Sequence, residues 1–242
     1  MPLDLDSGRL AELNARFAGD AQGALRHALS GALGRVALVS SFGAESAVLL
    51  HMAAQLDRHV PVIFIDTLML FPETVAYQET LARRLGLTDV RRSRPDGGDL
   101  ARHDPDATLH RRDPDACCDL RKARVLALAL RGFDGWISGR KRFQNGQRAG
   151  LEMFERDPAS GRVKINPLAG HGPGALRAHL DRHDLPRHPL VARGYPSIGC
   201  APCTSAVAPG EEPRAGRWRG VARTECGIHV AAGRVERRAV GS

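Results

Sequence analysis

Apolar and polar positions along the chain fall into blocks that switch between helical and extended character. Leu10, Leu13 and Phe17 recur at helical spacing, which predicts an opening amphipathic helix over ~8–30. Val36 to Ser40 is an apolar, β-branched run that leads into a glycine turn, and Ala47 to Leu56 continues as a helix. Pro61 to Leu70 contains a second buried strand that ends at Asp66, and Pro72 marks the start of the next helix, since proline is favoured in a first helical turn. A third strand is expected at ~89–93. Arg94 to Asp115 is rich in Asp, Pro, Arg and Gly and is expected to be a long loop of the kind that often carries function. A helix over ~117–131, a strand at Gly135–Ser138, a basic glycine-containing loop at 139–150, a strand at Val163–Ile165 and a helix at ~173–184 complete the regular pattern. Beyond ~187, Pro and Gly recur throughout and the chain is expected to be irregular.

Strands that alternate with helices predict parallel βαβ units, and hence an α/β fold with a doubly wound, mostly parallel sheet. The expected division is an N-terminal helical segment (1–34), an α/β nucleotide-binding unit (35–190) and an irregular C-terminal segment (191–242). In such sheets ligands bind beyond the carboxyl ends of the strands. Ser40–Ser46, Asp66 and Gly139–Arg148 all fall at such ends and are expected to meet in one pocket.

Composition narrows the class. The 242 residues suffice for one α/β domain, and 43% hydrophobic with 26% charged residues is ordinary for a globular protein. No apolar run reaches the ~20 residues of a membrane span, and the N-terminus shows no basic and apolar leader. A cytoplasmic location without membrane attachment is expected. The formal charge of +8 points to an anionic partner. The cations are scattered, though, and the basic loops hold few aromatics for base stacking, so a nucleic-acid partner is not expected.

The five cysteines change the picture most. Cys117 and Cys118 are adjacent, Cys200 and Cys203 form a Cys-x-x-Cys turn, and Cys226 stands alone. In a reducing compartment this pattern reads as a ligand set plus one free thiol rather than a disulfide framework. Neighbouring helical cysteines project about 100° apart, which suits ligation of two irons in one cluster better than one tetrahedral zinc. From spacing alone a [4Fe–4S] cluster, a structural zinc and inert or redox-active cysteines all stay open.

Four segments carry a resemblance to a known family. Cys117-Cys-Asp-Leu-Arg-Lys122, Gly199-Cys-Ala-Pro-Cys-Thr204, Arg214-Ala-Gly-Arg-Trp218 and Glu225-Cys-Gly-Ile-His229 resemble the bacterial and plant-type assimilatory adenylyl-sulfate reductases, and the likeness runs in consistent order from about Ser40 to His229. That family has an adenine-nucleotide α-hydrolase-like fold. The resemblance implies a [4Fe–4S] cluster on Cys117, Cys118, Cys200 and Cys203, with Cys226 as nucleophile. Lys122 would lie near the cluster and the anionic end of the substrate. Arg214, Arg217 and His229 would meet the phosphate–sulfate group, and Gly139 and Arg148 would belong to the nucleotide loop. Ser40, Gly43 and Asp66 are further substrate-site candidates.

A thiolate can attack the sulfur of adenylyl sulfate and expel AMP, leaving an S-sulfocysteine. With four cysteines held as ligands no second thiol remains in the chain. The reductant is therefore expected to be an external dithiol, thioredoxin or a glutaredoxin-like donor, the former having a potential of about −270 mV. A reductase for 3′-phosphoadenylyl sulfate is the nearest alternative. An ATP pyrophosphatase of the same α/β type is a further one, but the Ser40–Ser46 turn lacks the Ser-Gly-Gly-x-Asp-Ser pattern that activity expects. The turn is also not a Walker A loop. The remaining histidines fall mostly in expected loops, as with His103, His110, His171, His183 and His188, and are read as carrying no special role. Homo-oligomerisation is left open by the sequence.

Overall fold

The computed structural model describes residues 5–144 and 148–220. Cys226 and His229, and with them the end of the C-terminal segment, lie outside the described residues.

The opening segment is two helices rather than one: α1 (Ser7–Arg16) and α2 (Ala21–Leu29). Gly19 adopts φ +75°, a left-handed conformation that suits glycine and ends the first helix. Asp20 then caps α2 by accepting the Gly23 N–H at 2.8 Å. Both helices pack their apolar faces, through Leu13, Phe17, Ala24 and Leu25, into the same cluster that covers the sheet.

Strands β1 (Val36–Ser40), β2 (Val62–Ile65), β3 (Val90–Ser93), β4 (Gly135–Ile137), β5 (Phe154–Arg156) and β6 (Val163–Ile165) form one sheet in the order β3-β2-β1-β4-β6-β5. All neighbours are parallel except β5 against β6. The helices between and after them are α3 (Ser46–Ala54), α4 (Pro72–Leu85), α5 (Gly97–His103), α6 (Leu109–Arg112), α7 (Pro114–Cys118), α8 (Arg124–Ala129) and α9 (Pro173–Arg182). No helix among the described residues is long and apolar enough to cross a membrane.

The central strands are apolar on both faces because both faces are covered. Leu38, Val62, Phe64 and Ile137 face a cluster shared with α1 to α4 and α9. Ala37, Ile63 and Trp136 face Leu126 of α8, and Leu130 and Phe133 just beyond its end, on the other side. Gly135 is required where β4 meets β6, since a Cβ there would lie 2.4 Å from Val163 Cγ1 and 3.0 Å from the Val163 carbonyl oxygen.

The segment 94–115 is not a continuous loop. It holds α5, α6 and the start of α7, with Asp96 and Asp113 capping α5 and α7 through backbone N–H groups at 2.9–3.1 Å. Residues 119–123 form a π-turn between α7 and α8, so the helix bearing Cys117 and Cys118 is interrupted directly after the cysteines. Such turns are uncommon and concentrate at functional sites.

Candidate active site

The sheet order reverses between β1 and β4: the chain leaves β1 toward β2 and leaves β4 toward β6. At that switch point the carboxyl ends of the strands splay their connections apart and leave a crevice. A cavity of about 500 Å³ opens there, lined by the turn after β1, the loop after β4, the Cys-x-x-Cys segment and residues 212–218.

Eight of the predicted residues line this cavity: Ser40, Gly43, Lys122, Gly139, Arg148, Cys200, Arg214 and Arg217. The turn after β1 is bent sharply. Phe42 sits at φ +48°, and its ring is fully buried, edge-on to Phe64 with centroids 5.2 Å apart. That contact supplies about 1 kcal/mol beyond area burial and holds the left-handed residue in place. Ser40 Oγ accepts the Phe42 N–H at 3.1 Å.

Asp66 is not part of the lining. Its carboxylate is buried and ion-paired with Arg92 and Arg94, each at 2.9 Å, and it accepts the Leu68 N–H at 3.1 Å. Burial alone would raise its carboxyl, but the Arg94, Leu68 and Arg92 contacts prevail and hold it below its ordinary value. Asp66 organises the end of β2 and leaves ligand contact to its neighbour Thr67, which does line the cavity.

On the opposite wall Lys141 Nζ donates to Glu45 Oε2 at 2.8 Å, and Gln144 Nε2 donates to the same oxygen at 3.2 Å. Arg148 in turn donates to Gln144 Oε1. Lys141 and Arg148 are both buried. Burial pulls the Lys141 ammonium below its ordinary value, and Glu45 opposes that. Sequence reading singled out neither Glu45 nor Gln144, although both sit in segments it marked, the turn after β1 and the basic loop after β4. The cavity is strongly cationic: Lys122, Arg140, Lys141, Arg148, Arg214 and Arg217 outweigh Glu45 and Glu212.

The two C-terminal arginines are tied to the cysteine turn. Trp218 N–H donates to the Cys203 carbonyl at 3.0 Å, and Ser205 N–H donates to that of Gly216 at 2.9 Å. Arg217 lies over the Trp218 ring at 4.4 Å and donates to the Ile198 carbonyl at 3.2 Å, while Arg214 lies 5.8 Å from the same ring. Cation–π contacts of this kind fix guanidinium groups at a desolvated site.

Cys117, Cys118 and Cys200 are buried and Cys203 is half-buried. Cys200 Sγ lies 3.2 Å from Thr67 Oγ1, and Ala201 N–H donates to the Met69 carbonyl at 2.8 Å, so the turn is stitched to the end of β2. Burial pushes the Cys117 thiol up to about 11. Arg121 counters this, while Cys200 and Cys203 add to it. Among the described residues, the trio with ligand atoms all within 4.8 Å of one another is a histidine set and includes no thiol. Beside the cysteines Arg121, buried in the π-turn, donates to Asp104 Oδ2 at 2.6 and 3.1 Å and to the Thr67 carbonyl at 3.0 Å. Lys122, its neighbour, faces the cavity that Cys200 also lines.

The sequence that builds this cavity matches a known family model. Residues 35–206 match the phosphoadenosine phosphosulfate reductase domain. The chain belongs to the phosphoadenosine phosphosulfate reductase family. Within it, an adenosine 5′-phosphosulfate reductase from Mesorhizobium japonicum is 50% identical over 196 residues, covering 81% of this chain and 76% of that protein. The adenosine 5′-phosphosulfate reductase of Rhodococcus opacus is 38% identical over 249 residues, covering 96% of this chain and 100% of its own. A phosphoadenosine 5′-phosphosulfate reductase from Gloeobacter violaceus is also 38% identical, over 207 residues, covering 81% and 83%. Among solved structures, the phosphoadenylyl-sulfate reductase of Candida auris, in a phosphate complex, superposes with a TM-score of 0.74 at 26% identity, covering 86% of this chain and all of that one. The family's fold is thus the α/β fold expected from the strand and helix pattern.

Proposed function

We propose that the chain reduces adenylyl sulfate to sulfite and AMP in sulfate assimilation, with Cys226 as the nucleophile. The observation that carries this reading is the convergence, on one cavity, of the turn after β1, Lys122 beside the tandem cysteines, Cys200, and the Arg214–Arg217 pair. The nucleotide is held by the β1 turn, Gly139 and Arg148. The phosphate–sulfate end is held by Lys122, Arg214 and Arg217, whose charge complements the substrate's anionic oxygens.

The Cys226 thiolate attacks the sulfate sulfur; an S–S bond forms, the S–O bond to AMP breaks, and AMP leaves as an anion. Arginine and lysine charge around the cavity favours the thiolate form and the leaving phosphate. One thiolate of an external dithiol then attacks the Cys226 sulfur and releases sulfite, and its second thiol resolves the mixed disulfide. The donor's two electrons take sulfur from the sulfate to the sulfite level, and Cys226 returns as a thiol. A thioredoxin, or a glutaredoxin-like protein, suits the donor role, and the cytoplasm is the fitting compartment.

Two cysteine pairs, Cys117–Cys118 and Cys200–Cys203, with three of the four side chains buried and the fourth half-buried, form a donor set that suits a [4Fe–4S] cluster. When bound, the cluster would supply local charge beside Lys122 and Cys200.

The second reading is reduction of 3′-phosphoadenylyl sulfate, favoured by the names of the Gloeobacter and Candida relatives. Comparing kcat/KM for the two nucleotides decides between them: a strong preference for the 3′-phosphate overturns the first reading. For the mechanism, Cys226→Ser should keep its brown colour and iron content while losing turnover. Mass spectrometry of the enzyme after substrate alone should find a sulfo group on Cys226. Full activity in Cys226→Ser, or a colourless zinc-only protein, refutes the scheme.

A further inference from the structure

Apart from the cavity, one cluster of potential ligands stands out. His179 and His183 are four residues apart, at the end of α9 and its C-cap, a spacing that places both rings on one helix face. His51, in the last turn of α3, meets them across the helix–helix contact. Read one at a time along the sequence, these histidines conceal that relationship. We propose that His51, His179 and His183 bind a divalent ion of the zinc type that clamps α3 to α9.

The geometry supports this directly. One ligand nitrogen from each ring lies within 4.8 Å of the other two. His51 Nδ1 and His179 Nε2 are 3.0 Å apart. Two nitrogens on a tetrahedral zinc at ~2.05 Å are about 3.3 Å apart, so this pair needs to open by only a few tenths of an ångström. The ring centroids are 5.1, 4.4 and 4.6 Å apart, and all three residues are half-buried, which leaves an ion a path from solvent. Three imidazoles and one open position for water favour zinc, nickel or copper over magnesium or calcium, which prefer oxygen ligands.

Opposing charge is present but moderated. Arg84 acts on His51 and Arg182 on His179, yet Arg84 is itself 3.9 Å from Asp184, the residue after His183. The clamp would bear on the cavity from outside. The helix α3 begins directly after the β1 turn, and Ser46 and Leu49 of α3 and Pro173 of α9 line the cavity wall. This proposal stands apart from the substrate reading, because none of the three histidines touches the cavity.

The test uses the full chain with its native iron content, freed of loose metal by brief chelation and titrated with zinc chloride by calorimetry. The expected result is one zinc per chain beyond the iron, no iron released, and a raised Tm. X-ray absorption at the zinc edge should show nitrogen neighbours at about 2.0 Å. His179→Asn and, separately, His51→Gln should each weaken binding at least tenfold, whereas His103→Gln should not. Equal uptake by the wild type and both clamp variants, a sulfur-only shell, or no uptake would overturn the proposal.

Discussion

Gly199 and Arg217 share one space: a Cβ on residue 199 would lie 2.3 Å from Arg217 Nη2 and 2.5 Å from its Cζ. The clashing atoms belong to the far end of a flexible side chain, so Gly199→Ala is expected to leave the fold intact and push the guanidinium aside. Losing one well-placed charged hydrogen bond is worth about 1.5–3 kcal/mol. The expected outcome is therefore a fall of about 10- to 100-fold in kcat/KM for adenylyl sulfate with Tm nearly unchanged. Because both changes act through the same guanidinium, adding Arg217→Ala to Gly199→Ala should lower activity little further. Additive losses in that steady-state comparison would show that Gly199 acts some other way.

The Lys141–Glu45 pair predicts a stability phenotype with a defined pH dependence. Glu45→Gln leaves a buried ammonium without its counter-charge, and a deficit of about 1.5–3 kcal/mol is expected near neutral pH. Burial already lowers the folded-state value of Lys141, and losing Glu45 lowers it more. Between that value and the ordinary lysine range the unfolded chain holds the proton and the folded chain does not, so stability rises with pH. Urea melts at about pH 7 and about pH 9.5 should show the deficit shrinking at the higher pH. A deficit that is constant, or grows, excludes this account.

Much of the scaffold was legible because parallel strands covered on both faces are written as short apolar runs, as in Val36–Ser40 and Val62–Ile65. The turn at Ser40–Gly43, the tandem cysteines and the two C-terminal arginines were legible for a different reason, as short local motifs. What escaped depends on partners far away in the chain. Asp66 ends a strand like a ligand-binding residue, yet its partners Arg92 and Arg94 arrive only through the register of β2 with β3, where Phe64 lies opposite Arg92. Strand β5 is an antiparallel edge in which only Phe154 is buried and charged residues follow it, so no apolar run marks it. Helices α5 and α6 bury none of their residues, so no apolar stripe announces them within the polar stretch 94–115. Asp104 looked like one more loop aspartate there, although it holds Arg121 beside the cysteines.

That Arg121–Asp104 pair is buried on both sides. Removing one partner of such a pair costs about 3–5 kcal/mol, because the other charge is stranded, whereas replacing both by apolar groups can be close to neutral. Arg121→Met is therefore expected to be strongly destabilised in urea melts, with Asp104→Leu in the same chain restoring a large part of the loss. Asp104 also accepts the Leu109 N–H at 2.8 Å, so recovery should be incomplete. A double variant no more stable than Arg121→Met would mean the arginine matters for its bond to the Thr67 carbonyl instead.

His188 should make the fold sensitive to mild acid. It is buried, its Nδ1 accepts the Leu190 N–H at 3.2 Å, and its Nε2 therefore carries the proton toward Thr74 Oγ1 at 3.0 Å. Burial pulls this imidazole down to about 4, with Glu73 opposing weakly. The unfolded chain takes up the proton near the ordinary value of about 6.5, so the stabilisation is complete above that pH. It is lost progressively as pH falls toward about 4, at up to about 1.4 kcal/mol per pH unit for one proton. His188→Asn keeps an oxygen to cap the turn that begins at Pro189 but cannot titrate. Chemical denaturation across this window should give a slope for His188→Asn that is shallower by about one proton; an unchanged slope would assign the acid sensitivity to the other histidines.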